Sequence, residues 1–190
     1  MSKFNILTNY KKLAELLENG TEFCAFDTET TGLNAEIGRI VEIGAVKFNK
    51  DGVSGTLGTL LDPLMPISPD ASRVNHITDD MVRGKPSESE VIPRFMEFIG
   101  DAVLVAHNAP FDLRFVNAAL ERLSMPTLAN RTVDTLRFTR QVFPDAGHWT
   151  LQSLALLLDV DSGNAHRALD DAFSCMKIFL SAVRKSSGQL

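Results

Sequence analysis

Four carboxylates and one histidine are the residues of this 190-residue chain whose types and spacing could do chemistry. Asp27 and Glu29 lie two apart in FDTETTG, residues 26–32. In an extended segment, side chains i and i+2 point to one face, so these two acids sit side by side while Thr28 faces the other way. Adjacent carboxylates repel unless a proton or a cation lies between them. Asp112 closes VAHNAPFD, residues 105–112, just inside a helix that Pro110 opens. There the positive end of the helix dipole favours its ionised form. Asp171 closes AHRALDD, residues 165–171. At about 100° per residue, Ala168, Ala172, Met176, Phe179 and Val183 form an apolar stripe. Asp171 lies on its flank and Asp170 nearly opposite, so Asp171 is the acid that faces inward. His166 precedes Asp171 by five residues, near the frayed start of that helix, where its ring can swing over the site. Singly, each residue has a plain structural reading: an exposed acidic turn, a helix-terminal charge, a surface histidine. Together, at element ends of one sheet, they suit a hard cation such as Mg²⁺ or Mn²⁺, which prefers oxygen ligands. Carboxylates from different elements can hold two such ions about 4 Å apart, an arrangement that serves phosphodiester cleavage.

The elements that must position these residues are legible in outline. Lys11 to Leu17 has helical spacing, Glu22 to Asp27 reads as a first strand, and Arg39 to Phe48 as an alternating second. Val53 to Leu61 reads as a third, with Asn49-Lys50-Asp51-Gly52 as the hairpin turn. Asp62 to Pro86 holds four prolines and reads as a long loop with a short helical piece at Thr78 to Val82. Ser87 and Glu90 form a capping box for a helix to about Ile99. Ala102 to Ala106 is wholly apolar, as in a strand covered on both faces. Then come a helix from Pro110 to Leu123, a short strand at Arg131 to Asp134, and helices at Thr135 to Val142, Thr150 to Leu158 and about Ala165 to Arg184. The order predicts an α/β fold with a mixed central sheet. Asp27, Glu29 and Asp112 then fall at the carboxyl ends of strands, where ligands gather in open α/β sheets.

Composition narrows the partners. Lys and Arg number 19 against 24 Asp and Glu, a net charge of −5. A protein that binds nucleic acid by charge alone is basic, so any such role here needs another source of attraction, and bound divalent metal is one candidate. Two divalent cations would bring −5 to about −1. Local arginines could help, with Arg114, Arg131, Arg137, Arg140 and Arg167 as candidates against the plainer alternative of solvated helix faces. The longest apolar runs are about five residues, against the roughly 20 that span a bilayer. The N-terminus lacks the apolar centre of a signal peptide. Cys24 and Cys175 read as buried reduced thiols. The expectation is a cytoplasmic protein with no membrane partner.

FDTETTG, HNAPFD and HRALDD resemble the three motifs of the DEDD group of 3′–5′ exonucleases, in the subtype with a catalytic histidine. RIVEIGAVKF, NHITDDMV and HWTLQSLALLLDV extend the resemblance toward the proofreading exonucleases of bacterial replicative polymerases. It covers about residues 20–183 and makes residues 1–190 a single exonuclease domain. The resemblance implies a ribonuclease-H-like fold, a five-stranded mixed sheet of three antiparallel strands then parallel ones, flanked by helices. It implies release of nucleoside 5′-monophosphates from a 3′ end with two divalent cations, Mg²⁺ or Mn²⁺. Asp27, Glu29 and Asp171 would hold the first ion. Asp27 would bridge to the second, which Asp112 would hold directly or through water. His166 would be the general base, imidazole being the side chain that ordinarily titrates near neutrality. The same resemblance puts Thr30, Thr31 and Gly32 against the terminal nucleotide, Leu33 as a wedge, Phe111 under its sugar or base, and His76 and Asn108 as further contacts.

The partner so implied is a nucleic-acid 3′ end, DNA before RNA, in proofreading or repair, with a DNA polymerase subunit as a protein partner. Only 19 residues follow Asp171, most of them in a helix, which points instead to a free-standing enzyme or one docking by its surface. Two other readings stay open. One is an exonuclease of the same chemistry that trims RNA or oligoribonucleotides, which side-by-side digestion of matched DNA and RNA separates. The other is a non-catalytic nucleic-acid- or polymerase-binding module. A degenerate module should lack one of the five motif residues, and all five are present.

Overall fold

A computed structural model describes residues 4–188. Its sheet has the order β3-β2-β1-β4-β5. Strands β1 (Phe23–Thr30), β2 (Ile40–Asn49) and β3 (Gly52–Leu60) form the antiparallel half, while β4 (Val103–Ala106) and β5 (Thr132–Asp134) extend it in parallel from β1. The expected mixed sheet is therefore present. The β2–β3 hairpin turns where expected: Asn49 pairs with Gly52, the Asn49 side chain accepts from Asp51 N at 2.8 Å, and Gly52 has φ +122°. β1 runs three residues past the expected end, because its pairing with β2 continues to Thr30 through an irregularity at Glu29/Thr30.

Helices cover both faces. On one side lie α1 (Leu13–Glu18), α6 (Thr135–Val142), α7 (Leu151–Leu157) and α8 (Ala168–Ser186), around Phe23, Phe48 and Phe179. On the other lie α4 (Glu88–Ile99) and α5 (Pro110–Arg122), around Phe26, Phe95 and Phe115. Cys24 and Cys175 are buried free thiols, one in each core. The Ser87–Glu90 capping box closes as expected, with Ser87 N donating to Glu90 at 2.8 Å.

Two departures matter for the site. The segment read as a long loop contains α2 (Pro69–Asn75) as well as α3 (Asp79–Val82). Its start signals were local: Ser68 Oγ accepts from Ala71 N at 3.2 Å, and Pro69 occupies the first turn. The last helix begins at Ala168, not Ala165, because His166 takes a left-handed turn at φ +64° before it. Among the described residues no helix is long and apolar enough to cross a membrane.

Gly44 sets how closely α8 meets the sheet. It pairs with Asp27 on β1 and with Gly58 on β3. A Cβ on Gly44 would collide with the Ala168 carbonyl and Leu169 N, and one on Gly58 would lie 3.0 Å from the Leu169 side chain. Bare backbone at these positions lets the first turn of α8 press onto the strands. That contact brings Asp171 beside Asp27.

Candidate active site

β1 and β4 stay in register only from Phe23 to Ala25. Beyond that point the β4-side edge of β1 has no strand partner, and the chain leaving β4 turns over it into α5. Asp112, in the first turn of α5, takes up the exposed edge. Its Oδ1 accepts from Thr28 N at 3.0 Å and Thr28 Oγ1 at 2.7 Å. Thr28 thus faces away from Asp27 and Glu29, as the strand alternation predicts, and fixes Asp112 against the same strand end. Sequence reasoning assigned Thr28 no role.

Asp171 arrives from the opposite side. Its Oδ2 accepts from His166 N at 3.0 Å, a bond that the left-handed turn at His166 makes available. Its Oδ1 is buried and has no hydrogen-bond partner among the described residues. One ligand atom each from Glu29, His166 and Asp171 lie within 4.8 Å of one another. Asp27, Asp112 and these three line one open cleft of ≈ 620 Å³. Asp170 points elsewhere, accepting from Asn164 N at 2.9 Å.

The acids resist being charged together. Burial, then the charge of Asp112 and of Glu29, holds the Asp27 carboxyl well above its ordinary range. Burial, then Asp171 and Glu42, pushes Glu29 up to about 8. Burial pushes Asp112 up to about 7 even though Thr28 hydrogen bonds act in the opposite sense. Asp171 is raised by burial against the lowering effect of the His166 N–H. Four oxygen donors that each penalise a lone charge, one of them holding an unpartnered oxygen, fit a hard divalent cation.

A fifth acid in this neighbourhood is answered differently. Glu42, opposite Glu29 across β1 and β2, accepts from Arg167 Nη2 at 2.7 Å, Arg167 Nε at 3.1 Å and Ala168 N at 3.1 Å. It ties the His166–Arg167 turn and the start of α8 to the sheet. Its signal lay inside RIVEIGAVKF, the one acid of a largely apolar strand.

The expected substrate contacts divide. Thr30, Gly32, Leu33 and Phe111 line a second, more apolar cleft of ≈ 580 Å³ that shares Glu29 and Phe111 with the first. Leu33 is 86% exposed at its mouth. Asn108 lines the first cleft, at φ +62° with its N–H on Asp134 at 3.2 Å. Thr31 is buried in the fold instead, its Oγ1 accepting from Arg39 N at 3.0 Å. His76 lines neither cleft. It is exposed at the left-handed C-terminus of α2, and its neighbour Asn75 lines the apolar cleft in its place. Of the five candidate arginines, Arg140 alone lines either cleft among the described residues. Arg167 is committed to Glu42, and Arg137 lies 3.6 Å from Asp134.

Comparison with known proteins agrees with this geometry. A family model described as Exonuclease matches residues 24–179. The DNA polymerase III subunit epsilon of Treponema pallidum is 46% identical over 169 residues, covering 88% of this chain and 79% of that protein. The PolC-type DNA polymerase III of Clostridium perfringens is 35% identical over 201 residues, covering 99% of this chain but only 14% of that one. Among solved structures, exonuclease X in complex with 5′ overhanging duplex DNA superposes with a TM-score of 0.71 at 29% identity, over 87% of this chain and 93% of that chain. E. coli exonuclease I in complex with a dT13 oligonucleotide reaches 0.77 at 20% identity, over 87% of this chain and 41% of that one, a likeness of fold.

Proposed function

The chain belongs to the exonuclease family, whose members are phosphodiester hydrolases that use divalent metal ions, and on that premise we propose that it releases nucleoside 5′-monophosphates one at a time from DNA 3′ ends. The observation that carries this reading is the meeting of Glu29, His166 and Asp171 within 4.8 Å, in the cleft that Asp27 and Asp112 also line. DNA is favoured because the relatives named above are a subunit of a DNA polymerase, a DNA polymerase, or an exonuclease seen on DNA. A polymerase is the natural protein partner by the same kinship, in proofreading or repair.

In this reading Asp27, Glu29 and Asp171 would hold one cation, Mg²⁺ or Mn²⁺, and Asp27 with Asp112 would hold a second. When bound, the cations would supply the positive charge that makes water acidic enough to lose a proton and become the nucleophile, and that offsets charge on the phosphate and the departing 3′ oxygen. The chain's own residues do the rest. Thr28 holds Asp112 in place through two hydrogen bonds to one carboxylate oxygen, so that acid needs no reorganisation when substrate arrives. The His166 ring takes the proton of the attacking water, and the bond from its backbone N–H to Asp171 fixes the turn that presents it. The apolar cleft takes the terminal nucleoside, with Phe111 beneath it, Leu33 at its mouth and Thr30 and Gly32 along its wall. Phe111 keeps its place through a tilted pair with Phe115 at 5.1 Å.

The test is a product ladder from 5′-labelled DNA and matched RNA with Mg²⁺, Mn²⁺ or chelator. Stepwise shortening from the 3′ end, faster on DNA and abolished by chelator, is the expected result. Undiminished digestion in chelator defeats the metal assignment, and faster loss of RNA defeats the substrate class.

A further inference from the structure

A strand cut at its last phosphodiester bond has one nucleoside beyond the cut and all its remaining length before it. The two clefts match that asymmetry. The apolar one, with Leu33 and Phe111 in its wall, suits a nucleoside, and the one holding the carboxylates is lined as well by His107, Arg140, His148, Trp149 and Gln152. On the exonuclease reading above, we propose that Arg140 and Trp149 form the binding site for the strand on the 5′ side of the cut. The guanidinium meets a phosphate there and an unpaired base packs against the indole.

Three observations place the pair. Arg140 Cζ lies 5.8 Å from the centroid of the Trp149 ring, within cation–π range. Among the described residues no carboxylate pairs with Arg140, whereas Arg137 and Arg167 each have one. A guanidinium with no carboxylate of its own, in the cleft that the four acids line, is suited to a phosphate arriving there. Third, the indole is built in rather than lying loose on the surface. Trp149 Nε1 donates to the Phe143 carbonyl at 3.1 Å, and His107 Nε2 donates to the Trp149 carbonyl at 2.9 Å. His107 Nδ1 in turn hydrogen-bonds Thr135 Oγ1 at 3.0 Å. Burial holds the His107 imidazole below its ordinary pKa. His107 belongs to the segment that ends in Asp112, so the Trp149 platform is tied to the same strand end as the carboxylates. Stacking on side chains requires a base free of its complement, so the strand beside the cut is single.

Trp149 is the sole tryptophan of the chain, so its emission reports this place alone. The intact chain is titrated in Ca²⁺ buffer with an oligothymidylate of about eight nucleotides, and separately with thymidine 5′-monophosphate. The oligomer quenches the emission and the mononucleotide does not; Arg140→Ala weakens the oligomer titration about tenfold. In steady-state hydrolysis, Arg140→Ala and Trp149→Ala lower kcat/KM on the oligomer at least about fivefold more than on the p-nitrophenyl ester of thymidine 5′-monophosphate, which has no upstream strand. Trp149→Phe, which keeps an aromatic plane, recovers most of the loss. Equal quenching by both ligands, no quenching while the oligomer is digested, or equal losses on both substrates overturns the proposal. Quenching by the oligomer with neither substrate hydrolysed upholds the strand site and overturns the hydrolase reading instead.

Discussion

Glu29 and Glu42 stand opposite one another on β1 and β2, yet they serve opposite ends. Glu42 is 5% exposed, and its charge is answered within the chain by the Arg167 fork and the Ala168 N–H. Glu29 faces Asp171 and His166, with Asp27 and Asp112 close by, and among the described residues no salt bridge reaches it. Its pKa climbs to about 8 because burial and three acids oppose its charge. A buried acid with its own base is architecture, while a group of acids without one is built for a cation from outside. Identity and burial alone do not separate the two glutamates; what each side chain meets does.

The contrast can be broken most forcefully at Asp27. Asp27→Ala is expected to abolish hydrolysis while leaving the metal-free fold as stable as before or more so, since it removes a charge that four acids repel. An oligonucleotide assay beside thermal melting in chelator checks both halves, and wild-type digestion by the variant would end the metal reading. His166→Ala comes next, with a rate lower by ~10² to 10⁴ at neutral pH; a loss under about threefold would assign the proton to another group.

Glu42→Gln should differ in sign from Asp27→Ala. It leaves Arg167 without its counter-charge and loosens the turn bearing His166, so stability falls by about 1–2 kcal/mol, discounted because Arg167 is half exposed. Activity falls with it, about tenfold, through misplacement rather than lost chemistry. Chemical denaturation and kcat together read this variant; unchanged stability would make Glu42 a member of the cation group after all.

The smallest effect is pH-dependent. Glu29 and Asp112 have folded-state pKa values of about 8 and about 7, above those of an unfolded chain. The native state therefore holds protons that the unfolded state has lost, so the contribution of these two groups to stability is fully present below about pH 4 and declines as pH rises through 7 to 8. In chelator, Tm is expected to be lower at pH 8 than at pH 6, and Mn²⁺ is expected to raise it more at pH 8. A Tm that rises across that window without metal would contradict the assignment.

Much of this was readable in residue order because the signals were local. The i, i+2 spacing of Asp27 and Glu29 put both on one face, the Asn49–Gly52 turn set the hairpin, and helical periodicity chose Asp171 over Asp170. The features that escaped depend on distant chain segments. Thr28 matters because β4 ends early and Asp112 fills the gap, 84 residues away. Glu42 matters because Arg167 lies 125 residues on. Gly44 reads as an ordinary strand glycine until α8 lands on it. α2 is the exception: its Ser68-Pro69 start is a local signal that the surrounding prolines obscured. His76 was chosen by kinship of sequence, but the cleft-facing position at the end of that helix falls to Asn75.

Calorimetric titration of Mn²⁺ into wild-type, Asp27→Ala and Glu42→Gln protein at neutral pH tests the division between the two kinds of acid directly. Heat of binding in the wild type, its loss in Asp27→Ala and its survival in Glu42→Gln is the expected pattern. Binding by Asp27→Ala equal to wild type, or its disappearance in a folded Glu42→Gln, would contradict it.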